Sequence, residues 1–323
     1  MQRMMIEKAK EYLAAGKAQR VLGWEKGEQN WDRTPAFFDA GNIENLKYDG
    51  FCGPNVSKYL VAEAAKDGCV LAFLKPCDTW SYNQLVTEHR VNPDKVVVVG
   101  VGCKGKIDVE KIRKTGARGI LDVTEDGDIL KVHTLYGDCE INRSDVLLDK
   151  CLCCKGKEHK AGVEFIGESE ETSVGDKFEM VAQLEKMTAD ERFAFWRSEL
   201  SKCIRCNACR NVCPACSCIK CVFDNPNTGV QNKAAADDFE ENMFHIIRAF
   251  HVAGRCTDCG ECSRVCPQGI PLHLLNRKFI KYIDELYGAY RAGEEIGQRH
   301  PLENFDKGDC EPSIVHERGG NAK

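Results

Sequence analysis

The chain holds 20 cysteines among 323 residues, and their spacing is more informative than their number. Cys203-Ile-Arg-Cys206-Asn-Ala-Cys209-Arg-Asn-Val-Cys213-Pro214 reads C-x2-C-x2-C-x3-C-P, and Cys256-Thr-Asp-Cys259-Gly-Glu-Cys262-Ser-Arg-Val-Cys266-Pro267 repeats it. That run holds two [4Fe–4S] cubanes, with the fourth cysteine of each copy serving the other cluster. Three cysteines, each three residues apart, wrap one face of a cubane. The fourth lies on the helix that follows and reaches across. The expected sets are therefore Cys203, Cys206, Cys209 and Cys266 for one cluster, and Cys256, Cys259, Cys262 and Cys213 for the other. Zinc is the competing reading, but all-cysteine zinc sites use two C-x2-C pairs rather than a triplet with an x3-C-P extension.

A third set is less regular. Cys77 follows the apolar run 69–74, Cys103 follows the run 95–101, and Cys151 with Cys154 forms a C-x2-C pair. If the two runs are parallel strands, both single cysteines sit at the carboxyl edge where α/β sheets place ligands. Burial as packing residues is the alternative for Cys77 and Cys103, and spacing alone leaves the two readings even. Gly100-Val-Gly-Cys-Lys-Gly105 matches the dinucleotide fingerprint G-x-G-x-x-G, with Asp122 further on. The same glycines would let backbone approach a cubane, and that reading is preferred. Cys216, Cys218 and Cys221 have no spacing rule. They could hold a further cluster with a cysteine from elsewhere, such as Cys52, but no ligation is expected. His245 and His251 are expected at the surface or in caps, and Trp24, Trp31, Trp80 and Trp196 in the core. Arg205, Arg210 and Arg264 lie inside the cluster loops, where they would offset cluster charge or remain solvated.

These residues need positioning. The runs 69–74 (CVLAFL) and 95–101 (KVVVVGV) read as buried strands. The helical pattern 79–89 between them makes a βαβ unit with parallel strands. A helix is expected at 106–115, then a hairpin of GILDV and ILKVHTL around Glu125-Asp-Gly-Asp128. Residues 155–177 read as a polar surface linker. Thr188-Ala-Asp-Glu191 is a capping box opening a helix towards Cys203. Phe239, Met243, Ile246, Ile247 and Phe250 recur at helical spacing between the two dense motifs, which reads as an amphipathic helix. Residues 272–287 form another, stopped by Gly288.

The expected fold class is an α/β N-terminal domain followed by an α-helical ferredoxin-type domain with two [4Fe–4S] clusters. The expected boundaries are 1–155 for the α/β domain with one further cluster, 156–200 for a linker and connecting helices, 201–290 for the helical dicluster domain, and 291–323 for a polar tail, mobile or docked on a partner.

Composition sets the outer limits. There are 45 Lys and Arg residues against 50 Asp and Glu, a formal net charge of -5, so nucleic acid is not an expected partner. The first twenty residues lack the apolar stretch of a secretory signal, and no window is long enough to span a bilayer. A chain this size does not need disulfides to fold. Reduced thiols in the cytoplasm are the expectation.

Over most of its length the sequence resembles the beta subunit of methanogen-type formate dehydrogenase and of deazaflavin-reducing hydrogenase. The carriers are Lys75-Pro76-Cys77-Asp78, Val101-Gly102-Cys103-Lys104-Gly105, Cys151 with Cys154, and the runs 203–221 and 256–272. The resemblance implies an α/β domain holding a [4Fe–4S] cluster beside a flavin, with the dicluster module passing electrons onward. It implies that Cys77, Cys103, Cys151 and Cys154 bind the third cluster. Two departures bear on the flavin, FAD. The glycine-rich segment that flavin-binding members carry near the N-terminus is not found ahead of IEKAKEYLAAGK. The acidic, tryptophan-containing stretch that follows the C-x2-C pair is not found in 155–175.

The expected function is an iron–sulfur subunit of a redox complex of anaerobic metabolism, relaying single electrons with no substrate site of its own. Its partner would be a formate dehydrogenase, hydrogenase or heterodisulfide-reductase-like subunit. The alternative is a flavin-containing subunit that itself oxidises a reduced deazaflavin or NAD(P)H. A structural zinc module is the third reading.

Overall fold

A computed structural model describes the chain except for residues 64, 155–157, 171–174, 226, 228–237 and 304–323. Cys310 and most of the polar tail lie outside the described residues, as do parts of the expected linker.

The N-terminal part is a six-stranded sheet in the order β2-β1-β4-β5-β9, with the short β3 also paired to β1. Helix α1 (Gln2–Ala14) precedes β1 (Arg20–Lys26), β2 (Arg33–Phe38) and β3 (Leu46–Lys47); the one-turn helix α2 is Leu60–Glu63. Next come β4 (Val70–Leu74), α3 (Pro76–Thr87), β5 (Val96–Val101) and α4 (Val109–Lys114). β4 and β5 pair in parallel, Val70 opposite Val96 through Leu74 opposite Gly100, which is the expected βαβ unit. Every residue of β4 is buried, as a strand covered on both faces requires. α4 is shorter than the pattern 106–115 because the Asp108 side chain caps it, accepting from the Glu110 N–H.

The hairpin around Gly127 forms as expected, from β6 (Ile120–Asp126) and β7 (Ile129–Thr134). It does not extend the main sheet. With β8 (Cys139–Asn142) it makes a separate antiparallel sheet over its own core of Trp31, Ile112, Leu130 and Val132.

The described residues of the expected linker 155–177 do more than connect. After α5 (Asp149–Leu152), Glu164–Ile166 form β9, which pairs in parallel with β5. Three residues carry too little periodicity to be recognised from sequence, and their pairing is set by the sheet edge they meet. β9 also explains two glycines of the fingerprint. A Cβ on Gly100 would sit 2.8 Å from the His159 ring, and one on Gly102 would sit 2.6 Å from the Glu168 carbonyl carbon. The approach to these two glycines is taken by the chain's own residues, the His159 and Phe165 side chains at Gly100 and the Glu168 backbone at Gly102.

Helices make up the C-terminal part: α6 (Glu179–Lys186), α7 (Ala189–Ser201), α8 (Ala208–Asn211), α9 (Asp238–His251), α10 (Glu261–Arg264) and α11 (His273–Tyr287). Thr188 and Glu191 close the expected capping box on α7. Gly288 ends α11 at φ 85°. The described part of the tail packs on this chain rather than standing free. Tyr290, Ala292 and His300 are buried, and the Gly297 N–H donates to Thr87 Oγ1 at 2.9 Å. Trp24, Trp31 and Trp80 are buried in line with expectation, and Trp196 is half-buried.

Because the neighbour of Gly102 is backbone, the overlap cannot be relieved by a rotamer change. Gly102→Ala is expected to destabilise the protein by about 1–3 kcal/mol, read as a lower denaturation midpoint. An unchanged midpoint would mean that residue 168 does not pack there.

Candidate metal centres

The two C-x2-C-x2-C loops share one backbone conformation. In each, the second residue after the first cysteine is left-handed without being glycine, Arg205 at φ 53° and Asp258 at φ 52°. The residue after the second cysteine is also left-handed, Asn207 at φ 60° and Gly260 at φ 67°, and it caps a one-turn helix, α8 or α10. Left-handed non-glycine residues are costly and persist where the surroundings demand them. Here they turn backbone N–H groups inward, the arrangement that binds anions in concave nests. Arg205 N–H donates to Cys203 Sγ at 3.3 Å. Asp258 and Glu261 N–H groups likewise face Cys256 and Cys259.

Cys203, Cys206, Cys209 and Cys266 line one cavity, together with Phe244, His245 and Ile270. Thus the last cysteine of the second copy faces the first loop. In the other direction, the buried thiols of Cys256, Cys259 and Cys262 each have Cys213 among their electrostatic neighbours. The crossed grouping expected from spacing is what the chain brings together. Burial pushes the thiols of Cys256 and Cys259 well up, that of Cys262 to about 12, and that of Cys203 to about 11. A buried thiol ionises when a metal takes its charge. These donor sets of soft sulfur, mostly buried (Cys206 is exposed) and faced by N–H groups, fit [4Fe–4S] clusters.

Cys77, Cys103, Cys151 and Cys154 line a further cavity at the carboxyl edge of β4 and β5. Pro76 starts α3, and Lys75 caps it in a buried pair with Asp78 at 2.8 Å, which fixes Cys77 at the helix start. Cys103 N–H donates to Ser169 Oγ at 3.0 Å, and Lys106 N–H to Cys151 Sγ at 3.3 Å. This set too has the chemistry for a cluster. Cys153, which the spacing did not single out, lines the same cavity, as do Asp258 and Cys259 of the second loop. The two sites therefore share a wall.

Several expectations change. Helix α9 presents its apolar stripe outward: Phe239, Met243, Ile246 and Phe250 are exposed, while Glu241, Phe244, His245 and Arg248 are buried towards the cysteine loops. His245, expected at the surface, is therefore buried, whereas His251 at the end of α9 is exposed. Arg205 is buried as well. It stacks on Phe244 at 4.2 Å and pairs with Glu241 at 3.3 Å. Arg248 was missed altogether. Burial works against its charge, and the sulfurs of Cys213, Cys216, Cys262 and Cys209 surround it. The available signal was three polar residues, 241, 245 and 248, at helical spacing on one stripe.

Cys52 packs in the core of the α/β sheet, with its thiol pushed up to about 12 by burial, and does not join Cys216, Cys218 and Cys221. Cys216 contacts Cys213, and the hydrogen bond between the two thiols favours the charged form of Cys213 over that of Cys216. Cys218 is exposed, and Cys221 lies beside Arg210.

Residues 199–270 match the 4Fe-4S dicluster domain family. The chain as a whole is similar to F420-dependent formate dehydrogenase subunit beta of Methanocaldococcus jannaschii, at 23% identity over 89% of this chain and 90% of that one. It is similar to F420-dependent formate dehydrogenase 1 subunit beta of Methanococcus maripaludis at 26% identity, over 75% of this chain and 78% of the relative. A chain of the F420-reducing [NiFe] hydrogenase complex from Methanosarcina barkeri superposes with a TM-score of 0.35 at 14% identity, covering 47% of this chain and 62% of that chain. The resemblance to formate dehydrogenase beta subunits thus extends over most of the sequence, and the doubled cysteine motif lies within the dicluster segment. Among the described residues no helix is long and apolar enough to cross a membrane.

The α/β and dicluster parts meet at a buried charge cluster. Glu261, at the start of α10, contacts Lys150 and pairs with Arg264 at 2.8 Å. Burial opposes the Glu261 charge, but Arg264 and Lys150 hold its carboxyl down at about 2. Removing the anion alone leaves two cations without their counter-ion. Glu261→Gln is therefore expected to cost about 3 kcal/mol or more, a melting temperature lower by roughly 6–12 °C. Asp126→Asn, which breaks an exposed pair with Lys131, should leave the melting temperature unchanged. Equal effects from the two substitutions would contradict the buried cluster.

Proposed function

We propose that this chain is the iron–sulfur electron-relay subunit of a complex related to F420-dependent formate dehydrogenase. Cys203, Cys206, Cys209 and Cys266 hold one [4Fe–4S] cluster, and Cys256, Cys259, Cys262 and Cys213 hold a second. Cys77, Cys103, Cys151 and Cys154 hold a third in the α/β domain, residues 1–155; the dicluster domain spans 201–290. The observation that carries this reading is the wall shared by the third cavity and the second loop through Asp258 and Cys259. Sites in contact through one cysteine loop suit single-electron transfer and leave no room between them for a substrate. Donor and acceptor are then other proteins, a formate dehydrogenase, hydrogenase or heterodisulfide-reductase-like subunit. The exposed apolar stripe of α9 supports a chain that works with a partner. Clustered free thiols agree with a reducing cytoplasm.

A second reading has one feature in its favour. A cleft of about 420 Å³, lined by Tyr48, Gly102, Lys104 and Arg143, shares Gly105, Lys106 and Glu170 with the third cysteine cavity. That volume is in the range of cofactor sites. FAD held there would lie beside a cluster, and the chain could oxidise a reduced deazaflavin or NAD(P)H itself.

Anaerobic purification and metal analysis test both. About 12 iron atoms per chain are expected, without flavin, falling to about eight in Cys103→Ala. Cys218→Ser should keep all of them. Zinc in place of iron overturns the relay. A yellow chromophore released by acid, together with deazaflavin-dependent dye reduction, moves the assignment to the second reading.

A further inference from the structure

His245 is 2% exposed and sits on the stripe of α9 that faces the first cysteine loop. Its ring lines the cavity of Cys203, Cys206, Cys209 and Cys266. One ligand atom each from His245, Cys203 and Glu241 all lie within 4.8 Å of one another. Both ring nitrogens are buried with no hydrogen-bond partner among the described residues. An imidazole so placed loses about 1–3 kcal/mol for each polar group left unsatisfied. Arg205 and Arg248 offer donors only, so they can serve the bare ring nitrogen but cannot accept from the ring N–H. The Glu241 carboxylate is engaged by Arg205 through Oε2 at 3.3 Å, and neither of its oxygens is hydrogen-bonded to the ring. Phe244 meets the ring edge-on at 5.0 Å, which fixes its orientation and offers no polar atom. Apart from Glu241, the acceptors that face the ring N–H are on the cysteine side of the cavity.

We infer that His245 donates an N–H to a sulfur of the cluster held by Cys203, Cys206, Cys209 and Cys266 and thereby raises the reduction potential of that cluster; the inference rests on the cluster assignment proposed above. Reduction puts one more negative charge on iron and sulfur, and a hydrogen bond to sulfur is stronger in that state. The residue is a positioning and tuning group. It leaves the ligand set unchanged.

The test compares full-length wild-type protein with His245→Phe and His245→Gln, all prepared anaerobically. Iron content is measured first. Each sample is then poised at a series of potentials and frozen for paramagnetic resonance. With full iron, His245→Phe is expected to show one cluster with a ratio of reduced to oxidised form about tenfold lower at the same potential, a shift of about 59 mV for one electron. His245→Gln, which retains an N–H donor, should recover most of it. In deuterium oxide the wild-type cluster should show a coupled exchangeable deuteron that His245→Phe lacks. Full iron with unchanged potentials and an unchanged deuteron signal overturns the inference while the clusters stand. If His245→Phe fails to retain iron, the wild type decides alone: specific 15N labelling of histidine must give a weak coupling beside the exchangeable deuteron, and its absence, or the strong coupling of a direct iron ligand, overturns the inference. Wild-type protein without iron removes the underlying assignment instead.

Discussion

Burying sulfur donors whose charge the polypeptide alone does not neutralise is the constraint around which the C-terminal half is built. A thiol in a dry cavity stays protonated, and burial drives Cys256, Cys259 and Cys262 in that direction. The chain answers with backbone. Two loops adopt the same left-handed turns so that N–H groups face the sulfurs, and three of the four left-handed residues carry a Cβ, Arg205, Asn207 and Asp258. Such strain at matching positions in both copies is what a nest for an anionic group requires.

The helix between the loops answers the same constraint with side chains. α9 inserts Glu241, His245 and Arg248 where a soluble helix would place leucines. Arg248 stands among cysteines of both sets and donates to the Cys209 carbonyl at 2.9 Å. A single cation in that position lowers the cost of charge on two neighbouring sites at once. The apolar stripe is consequently displaced to the outer face, where Phe250 meets Phe279 at 4.8 Å and Phe239 is exposed.

The same economy ties the halves together. Gly260 must lack a side chain because Lys150 Cβ would lie 2.6 Å from its own Cβ, and the neighbouring Glu261 then pairs with that lysine. Ser81 Oγ and Thr257 Oγ1 meet at 3.0 Å, and Glu88 takes Arg255 at 2.6 Å. These contacts join α3, the residue that follows it and α5 to the second cysteine loop and the residue before it. The loop is thereby held against the α/β sheet edge, and the cavity of Cys77 and Cys103 is completed by Asp258 and Cys259.

Local sequence was sufficient wherever the structure obeys a local rule. The C-x2-C-x2-C-x3-C-P runs foretold the crossed grouping, since the spacing itself limits where the fourth sulfur reaches. The unbroken Val run marked β5 as covered on both faces, and Thr188 with Glu191 marked the start of α7. Readings that depend on what lies opposite went another way. α9 was amphipathic in sequence, but which stripe faces inward was decided by the cysteine loops it packs against. β9 was invisible because three residues acquire a strand identity only from the edge of β5. The glycine fingerprint had the right context for a nucleotide, and the tertiary fold filled that place with residue 168. What the sequence determined alone is the spacing of the soft donors, because sulfurs at fixed intervals constrain their own geometry. Which buried charges stand beside those donors, and which sites touch, was decided by packing between segments far apart in the chain, where no local pattern records the neighbour.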